Sequence, residues 1–167
     1  MRLFKLAFIS ALFFALLITG ISLFIPSKVV ISKAINIGAP RDSIKNKLSN
    51  IETWKQWYPG FDTLPIAATQ QTNGRWTAAK VNTIAIQLTT QTDSMVTAEF
   101  SMNGKRPIIN NWRIVSYPHT DSVTVQWSMN FNMKWYPWEK FSSLLLETRY
   151  APQMEKGLSN LKATLEK

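Results

Sequence analysis

Apolar and polar residues alternate strictly from Ser122 to Met133. Val123, Val125, Trp127, Met129, Phe131 and Met133 share one side of the chain, and Ser122, Thr124, Gln126, Ser128, Asn130 and Asn132 share the other. Successive side chains of a strand point to opposite faces, whereas a helix would scatter this pattern around its axis, so the segment predicts a long, half-buried β-strand. Ile84, Ile86 and Leu88 repeat the arrangement against Ala85 and Gln87, and Val96, Ala98, Phe100 and Met102 repeat it against Thr97, Glu99 and Ser101. A fourth strand is expected from Ile108 to Tyr117, with Ile108, Trp112 and Ile114 on one side. Turn-forming residues separate these runs at Thr92-Asp93-Ser94, Asn103-Gly104 and Pro118-His119-Thr120-Asp121, which makes the connections short and the neighbours antiparallel. The prediction is a meander of at least four strands with one wet face and one face of bulky apolar groups.

The period changes near the end of the chain, where Phe141, Leu145, Thr148, Ala151, Met154, Leu158, Leu161 and Leu165 recur every three or four residues. That spacing predicts a long helix covering the apolar face of the sheet. Pro152 lacks a backbone donor and crowds the preceding turn, so a bend is expected near Arg149, with the helix continuing through it. Gly157 costs a helix about 1 kcal/mol relative to Ala, which points to a close approach of backbone to sheet, or else to a plain flexible point. Earlier, Val29 to Ile37 is a β-branched run, and Ala39-Pro40 opens a helix with Pro at its first position. Ser49-Asn50-Ile51-Glu52 fits a capping box for a second short helix that carries Trp54 and Trp57 and stops at Tyr58-Pro59-Gly60. Between Phe61 and Val81 the periodicity is poor, and Asn73-Gly74 suggests a hairpin.

The order is therefore strand, two short helices, meander, long helix. With Ile35-Asn36-Ile37-Gly38-Ala39-Pro40, the stretch Leu48 to Pro59 with Trp54-Lys55-Gln56-Trp57, the strand Val123-Thr124-Val125-Gln126-Trp127 and the closing Gly157-Leu158-Ser159-Asn160-Leu161-Lys162, it resembles the START-like superfamily, also called SRPBCC. Within that superfamily it is similar to the polyketide cyclase/dehydrase-like proteins, over about residues 28 to 166. The resemblance implies an α+β helix-grip fold, in which a strongly curved antiparallel sheet wraps around a long C-terminal helix and leaves a mostly apolar tunnel between them.

Leu6 to Ile25 is a charge-free apolar run preceded by Arg2 and Lys5 and ended by Pro26. At about 1.5 Å per residue it matches the roughly 30 Å hydrocarbon layer of a bilayer. A signal peptide cut near Ser22 competes with an uncleaved transmembrane anchor, and the continuation of the apolar run past that point favours the anchor. The expected division is an anchor over 1–26 and one helix-grip domain over 27–167. Arg2 and Lys5 favour a cytoplasmic N-terminus, while Lys28, Lys33, Arg41 and Lys45 pull the other way, and the reading adopted puts the domain on the non-cytoplasmic side. With no cysteine the chain has neither disulfide nor lipoprotein attachment. Of 19 Lys and Arg, 17 remain once Arg2 and Lys5 are set aside, against 10 Asp and Glu. That excess suits a domain held close to anionic headgroups, each well-placed basic group contributing about 1 kcal/mol. No nucleic acid is expected as a partner, since Lys33, Lys55, Lys80, Arg113 and Lys140 are scattered and form no stripe.

Titratable chemistry is thin. His119 is the single histidine and falls in an expected turn, there is no cysteine nucleophile, and Asp62, Glu99 and Glu139 occur singly, with Glu99 on the polar face. No catalytic residue, metal or cofactor is expected, although cyclases of the resembled family work largely by shaping a chain in the cavity. The leading expectation is a membrane-tethered module binding a hydrophobic small molecule, lipid or isoprenoid-like, between sheet and helix. Its candidate wall comprises Trp57, Phe100, Met102, Trp112, Trp127, Met129, Phe131, Leu145 and Met154, each of which serves equally as plain core. Arg113 and Tyr117 become polar contacts only where a bulge turns them inward. The alternatives are a cyclase or dehydratase-type enzyme using the same cavity, and a ligand-free module that docks a membrane partner.

Overall fold

A computed structural model of the chain describes residues 2–117 and 122–166. It begins with the apolar helix α1 (Arg2–Leu23), followed by β1 (Lys28–Ile37), α2 (Arg41–Leu48) and a 3₁₀ helix (Ile51–Gln56). The strands β2 (Ile66–Thr72), β3 (Arg75–Val81), β4 (Ile84–Gln91), β5 (Met95–Met102), β6 (Ile108–Ser116) and β7 (Val123–Asn132) follow, then α3 (Pro137–Ser143) and α4 (Leu146–Leu165). All seven strands form one antiparallel sheet in the order β1-β7-β6-β5-β4-β3-β2. The four expected meander strands are its middle, β2 and β3 extend it at one edge, and β1 returns to close the other.

The alternation read from the sequence is realised in β7, where Val123, Val125, Trp127, Met129 and Phe131 are buried and the intervening residues are not. Trp112 of β6 lies directly opposite Trp127, so the two largest groups of the inner face are neighbours. Register irregularities in β2 and between Leu88 and Thr90 of β4 mark places where extra residues bend the sheet. Asn73 and Gly74, with φ of 52° and 73°, make the tight hairpin between β2 and β3 that Asn-Gly predicts.

Across the inner face lies α4, packed mainly on β1, with lesser contact to β7 and the 3₁₀ helix. Ala151, Met154, Gly157, Leu158 and Leu161 are its buried residues. A Cβ at position 157 would sit 2.7 Å from Trp127 Cζ3 and 3.0 Å from Pro59 Cδ, so the absence of a side chain is what lets helix and sheet approach this closely. The Lys33–Glu155 ion pair at 2.9 Å and the Gly38 N–H donating to Glu166 Oε1 at 2.6 Å fasten β1 to the outer side of the same helix.

Three local expectations are corrected. The periodic run from Phe141 to Leu165 is two helices: the chain turns at Leu144 and Leu145, whose N–H groups bond to Phe141 and Ser142 carbonyls, and α4 then runs on through Pro152. Phe141 and Leu145 keep the helical spacing but lie outside the core, 37% and 69% exposed. The second short element is a 3₁₀ helix, and Asn50 caps it in place of Ser49, its Oδ1 accepting from the Glu52 N–H at 3.2 Å while Ser49 closes α2. Pro40 precedes α2 instead of forming its first residue, and its carbonyl accepts from the Ser43 and Ile44 N–H groups. The turn expected at Pro118-His119-Thr120-Asp121 lies outside the described residues.

Candidate functional site

The space between sheet and α4 divides into a packed half and an open half. In the packed half, Trp54 from the 3₁₀ helix sits 5.1 Å from Trp112, ring centre to centre, and Trp112 sits 5.5 Å from Trp127. Trp57 meets both Trp112 and Trp127 edge to face at 5.9 and 6.2 Å. Such offset and edge-on contacts are the favoured geometries of aromatic pairs, and they close the interior here. Of the candidate wall, Trp57, Trp112, Trp127 and Met154 belong to this solid centre, none more than 1% exposed.

Beyond Tyr58 and Phe61 the packing gives way to a cleft of about 310 Å³. Its floor is Phe100 and Met102 of β5, Ile108 and Asn110 of β6 and Met129 of β7, with Ile84 to one side. Tyr58 and Phe61, stacked at 4.4 Å in the loop after the 3₁₀ helix, separate it from the tryptophans. Arg149, Tyr150 and Gln153 of α4 form the opposite wall, and Lys105 and Arg106 from the β5–β6 loop stand at the rim. Phe100 and Met102, both half-buried, are thus the candidate wall residues that the fold brings to this space, with Met129, 2% exposed, at its base. Phe131 lines an adjoining depression of about 260 Å³, with Met133, Leu146 and Glu139. The two spaces share Lys105, Arg106, Ile108 and Tyr150, so they adjoin one another along the β5–β6 loop and the start of α4.

Leu145 is not brought to either space. It stands exposed at the turn before α4, because the helical face it was read on ends there. Arg113 also points away: β6 pairs with both neighbours in unbroken register, so no bulge turns it, and it is exposed on the outer side, while Tyr117 follows the strand and is exposed.

Asn110 is the polar feature that the sequence reading passed over. It occupies the same strand face as Ile108, Trp112 and Ile114 and is 1% exposed. The Trp127 indole N–H, which can only donate, meets Asn110 Oδ1 at 3.0 Å and so fixes which end of the amide is oxygen. Asn110 Nδ2 is left without a partner. Trp57 and Trp112 also have unpartnered indole N–H groups, but these lie within the aromatic cluster, whereas Asn110 borders the cleft. A buried donor in this state costs about 1–3 kcal/mol until an acceptor arrives.

The charge around the opening is of one sign. Lys105, Arg106 and Arg149 are its ionic residues, and no described carboxylate or histidine lines the cleft. Arg149 stands with its guanidinium 5.7 Å from the Tyr150 ring centre, a cation over an aromatic face. Burial, reinforced by Tyr150, raises the pKa of the Tyr58 hydroxyl well above the ordinary tyrosine value, so this group stays a neutral donor. Among the described residues no three His, Cys, Asp or Glu side chains are grouped to hold a metal. Glu99 accepts from Ser101 Oγ at 3.0 Å away from the cleft, and Asp62 is exposed in a loop.

Residues 28–166 match a family model described as polyketide cyclase / dehydrase and lipid transport. No curated protein matches the chain. A START superfamily protein from Mycobacterium smegmatis has the same fold, with a TM-score of 0.61 at 15% identity over 82% of this chain and 97% of that one. A hypothetical protein from Helicobacter pylori gives 0.61 at 11% identity over 82% and 88% of the two chains. The di-domain aromatase/cyclase StfQ of the steffimycin biosynthetic pathway gives 0.60 at 10% identity, covering 83% of this chain and 51% of its own.

Proposed function

The chain belongs to the polyketide cyclase / dehydrase and lipid transport family, and from that premise we propose that it is a membrane-tethered module binding one hydrophobic ligand with an anionic or acceptor-bearing end. The observation that carries this reading is the cleft itself, an apolar floor ending in the unpartnered Asn110 amide beneath a rim of Lys105, Arg106 and Arg149. About 310 Å³ falls at the lower end of small-molecule sites, which run from roughly 300 to 1,000 Å³. That volume suits a single acyl or isoprenoid chain or one ring system better than an entire two-chain phospholipid. Apolar contact supplies affinity at about 25 cal/mol per Å² removed from water, and the polar groups set orientation.

In this reading residues 1–26 form an uncleaved single-pass anchor and 27–167 the binding domain, on the non-cytoplasmic side. α1 is long and apolar enough to cross a membrane and contributes little to the core. A cyclase would use the same cleft to fold a reactive chain, but a lining without described carboxylate or histidine favours holding over proton transfer.

The test is binding of a fluorescent polyene fatty acid, cis-parinaric acid, to the full chain in nanodiscs. Emission should rise with one site per chain and fall when oleate competes. Met102→Trp, which fills the cleft, should abolish the rise. Asn110→Leu should weaken binding about 3- to 10-fold, the worth of one hydrogen bond of about 0.5–1.5 kcal/mol. A saturable signal unchanged in Met102→Trp, or no signal at all, contradicts the reading.

A further inference from the structure

α3 is inverted relative to what water selects. Its buried residues are Lys140 and Ser143, 6% and 5% exposed, whereas Trp138 on the helix and Trp135, Leu144 and Leu145 beside it are 64–69% exposed. Large apolar groups gathered on one exposed face mark a surface meant to be covered. Lys140 shows why the helix is turned this way round: its Nζ donates to the Ile25 carbonyl at 2.5 Å and to Ser27 Oγ at 2.6 Å. The ammonium thus ties α3 to the short link that follows the C-terminal end of α1. At that same end of α1, Leu23 and Phe24 are 70% and 91% exposed, so the apolar face of α3 continues the apolar surface of α1.

We propose that α3 and its flanks seat in the surface of a lipid bilayer, with Trp135, Trp138, Leu144 and Leu145 entering the boundary between headgroups and acyl chains. The inference rests on α1 being a membrane anchor. Continuity with α1 selects lipid over a protein partner as the covering, and tryptophans at the end of a span are the residues that suit this depth. Lys134, exposed beside the patch, adds charge complementary to anionic headgroups. Seated in this way, the depression that Glu139 and Leu146 line opens beside the lipid, next to the cleft with which it shares Lys105, Arg106, Ile108 and Tyr150.

The full chain, reconstituted in phosphatidylglycerol and phosphatidylcholine vesicles, should float with them. Lipids brominated high on the acyl chain should quench its tryptophan emission. The double variant Trp135→Phe/Trp138→Phe, altered only at exposed positions, should float equally and lose most of that quenching. If the chain floats but wild type and variant are quenched alike, with Trp135 and Trp138 open to iodide, α3 stands off the bilayer and awaits another covering; the proposal is then overturned while the anchor stands. A chain that does not float overturns the anchor and, with it, the seating of α3.

Discussion

Gly157 and Trp127 set the spacing of the interior. A methyl group added at 157 meets the ring edge of Trp127 and the ring of Pro59, neither of which is a flexible side-chain end. Gly157→Ala would gain about 1 kcal/mol of helix propensity, but overpacking of this kind costs about 1–3 kcal/mol, so a lower denaturation midpoint is expected by equilibrium unfolding. An unchanged or higher midpoint would show that the helix can lift off the sheet without penalty. Tyr58 makes a different prediction. Its hydroxyl keeps its proton in the folded protein to a higher pH than in the unfolded chain, where tyrosine ionises near 10.0. The folded state therefore holds the extra proton, and this contribution to stability is intact below about pH 10 and lost as pH rises beyond it. Thermal unfolding followed from pH 8 to 11 should show a steeper alkaline decline for wild type than for Tyr58→Phe; parallel curves would contradict it. Gly157 was legible in the sequence because a glycine inside a periodic helix needs a reason. Asn110 was legible in principle, as a polar residue at an inward position between Ile108 and Trp112, but parity alone does not reveal that its amide nitrogen lacks a partner.

At the scale of elements, alternation identified β4 to β7 because apolar and polar side chains take opposite faces in each, although in β5 even Thr97 of the polar face is buried, and the Asn73-Gly74 turn identified a hairpin whose own strands carry little pattern. β2 is mostly exposed and irregular in register, so its side chains have no two-faced environment to record. The division of the closing helix escaped for the opposite reason. Phe141 and Leu145 obey the core spacing although their face is not core, and periodicity reports an apolar face without saying what covers it. Lys140 holds that face in place. Lys140→Met keeps length while removing both donors to Ile25 and Ser27, so amide exchange across Pro137–Ser143 should speed up while that of α4 is unchanged. Equal protection of α3 in both proteins would mean that packing alone positions it.

At the scale of the molecule, the inner face of the sheet does two jobs in separate places. Four tryptophans and Met154 close one half, and Phe100, Met102 and Met129 leave the other half open. The sequence supplied the bulky inward residues but not this partition, which depends on Tyr58 and Phe61 folding back from the 3₁₀ helix to seal the tryptophans from the cleft. The basic rim escaped as well, since Lys105, Arg106 and Arg149 are brought together from a loop and a helix far apart in the chain. The most direct measurement is photocrosslinking of a diazirine-bearing fatty acid to the full chain in nanodiscs, with attachment sites mapped by mass spectrometry. The account predicts adducts at Phe61, Met102, Met129 and Tyr150, competed away by oleate; adducts confined to α1 and α3, with none on the cleft, would contradict it.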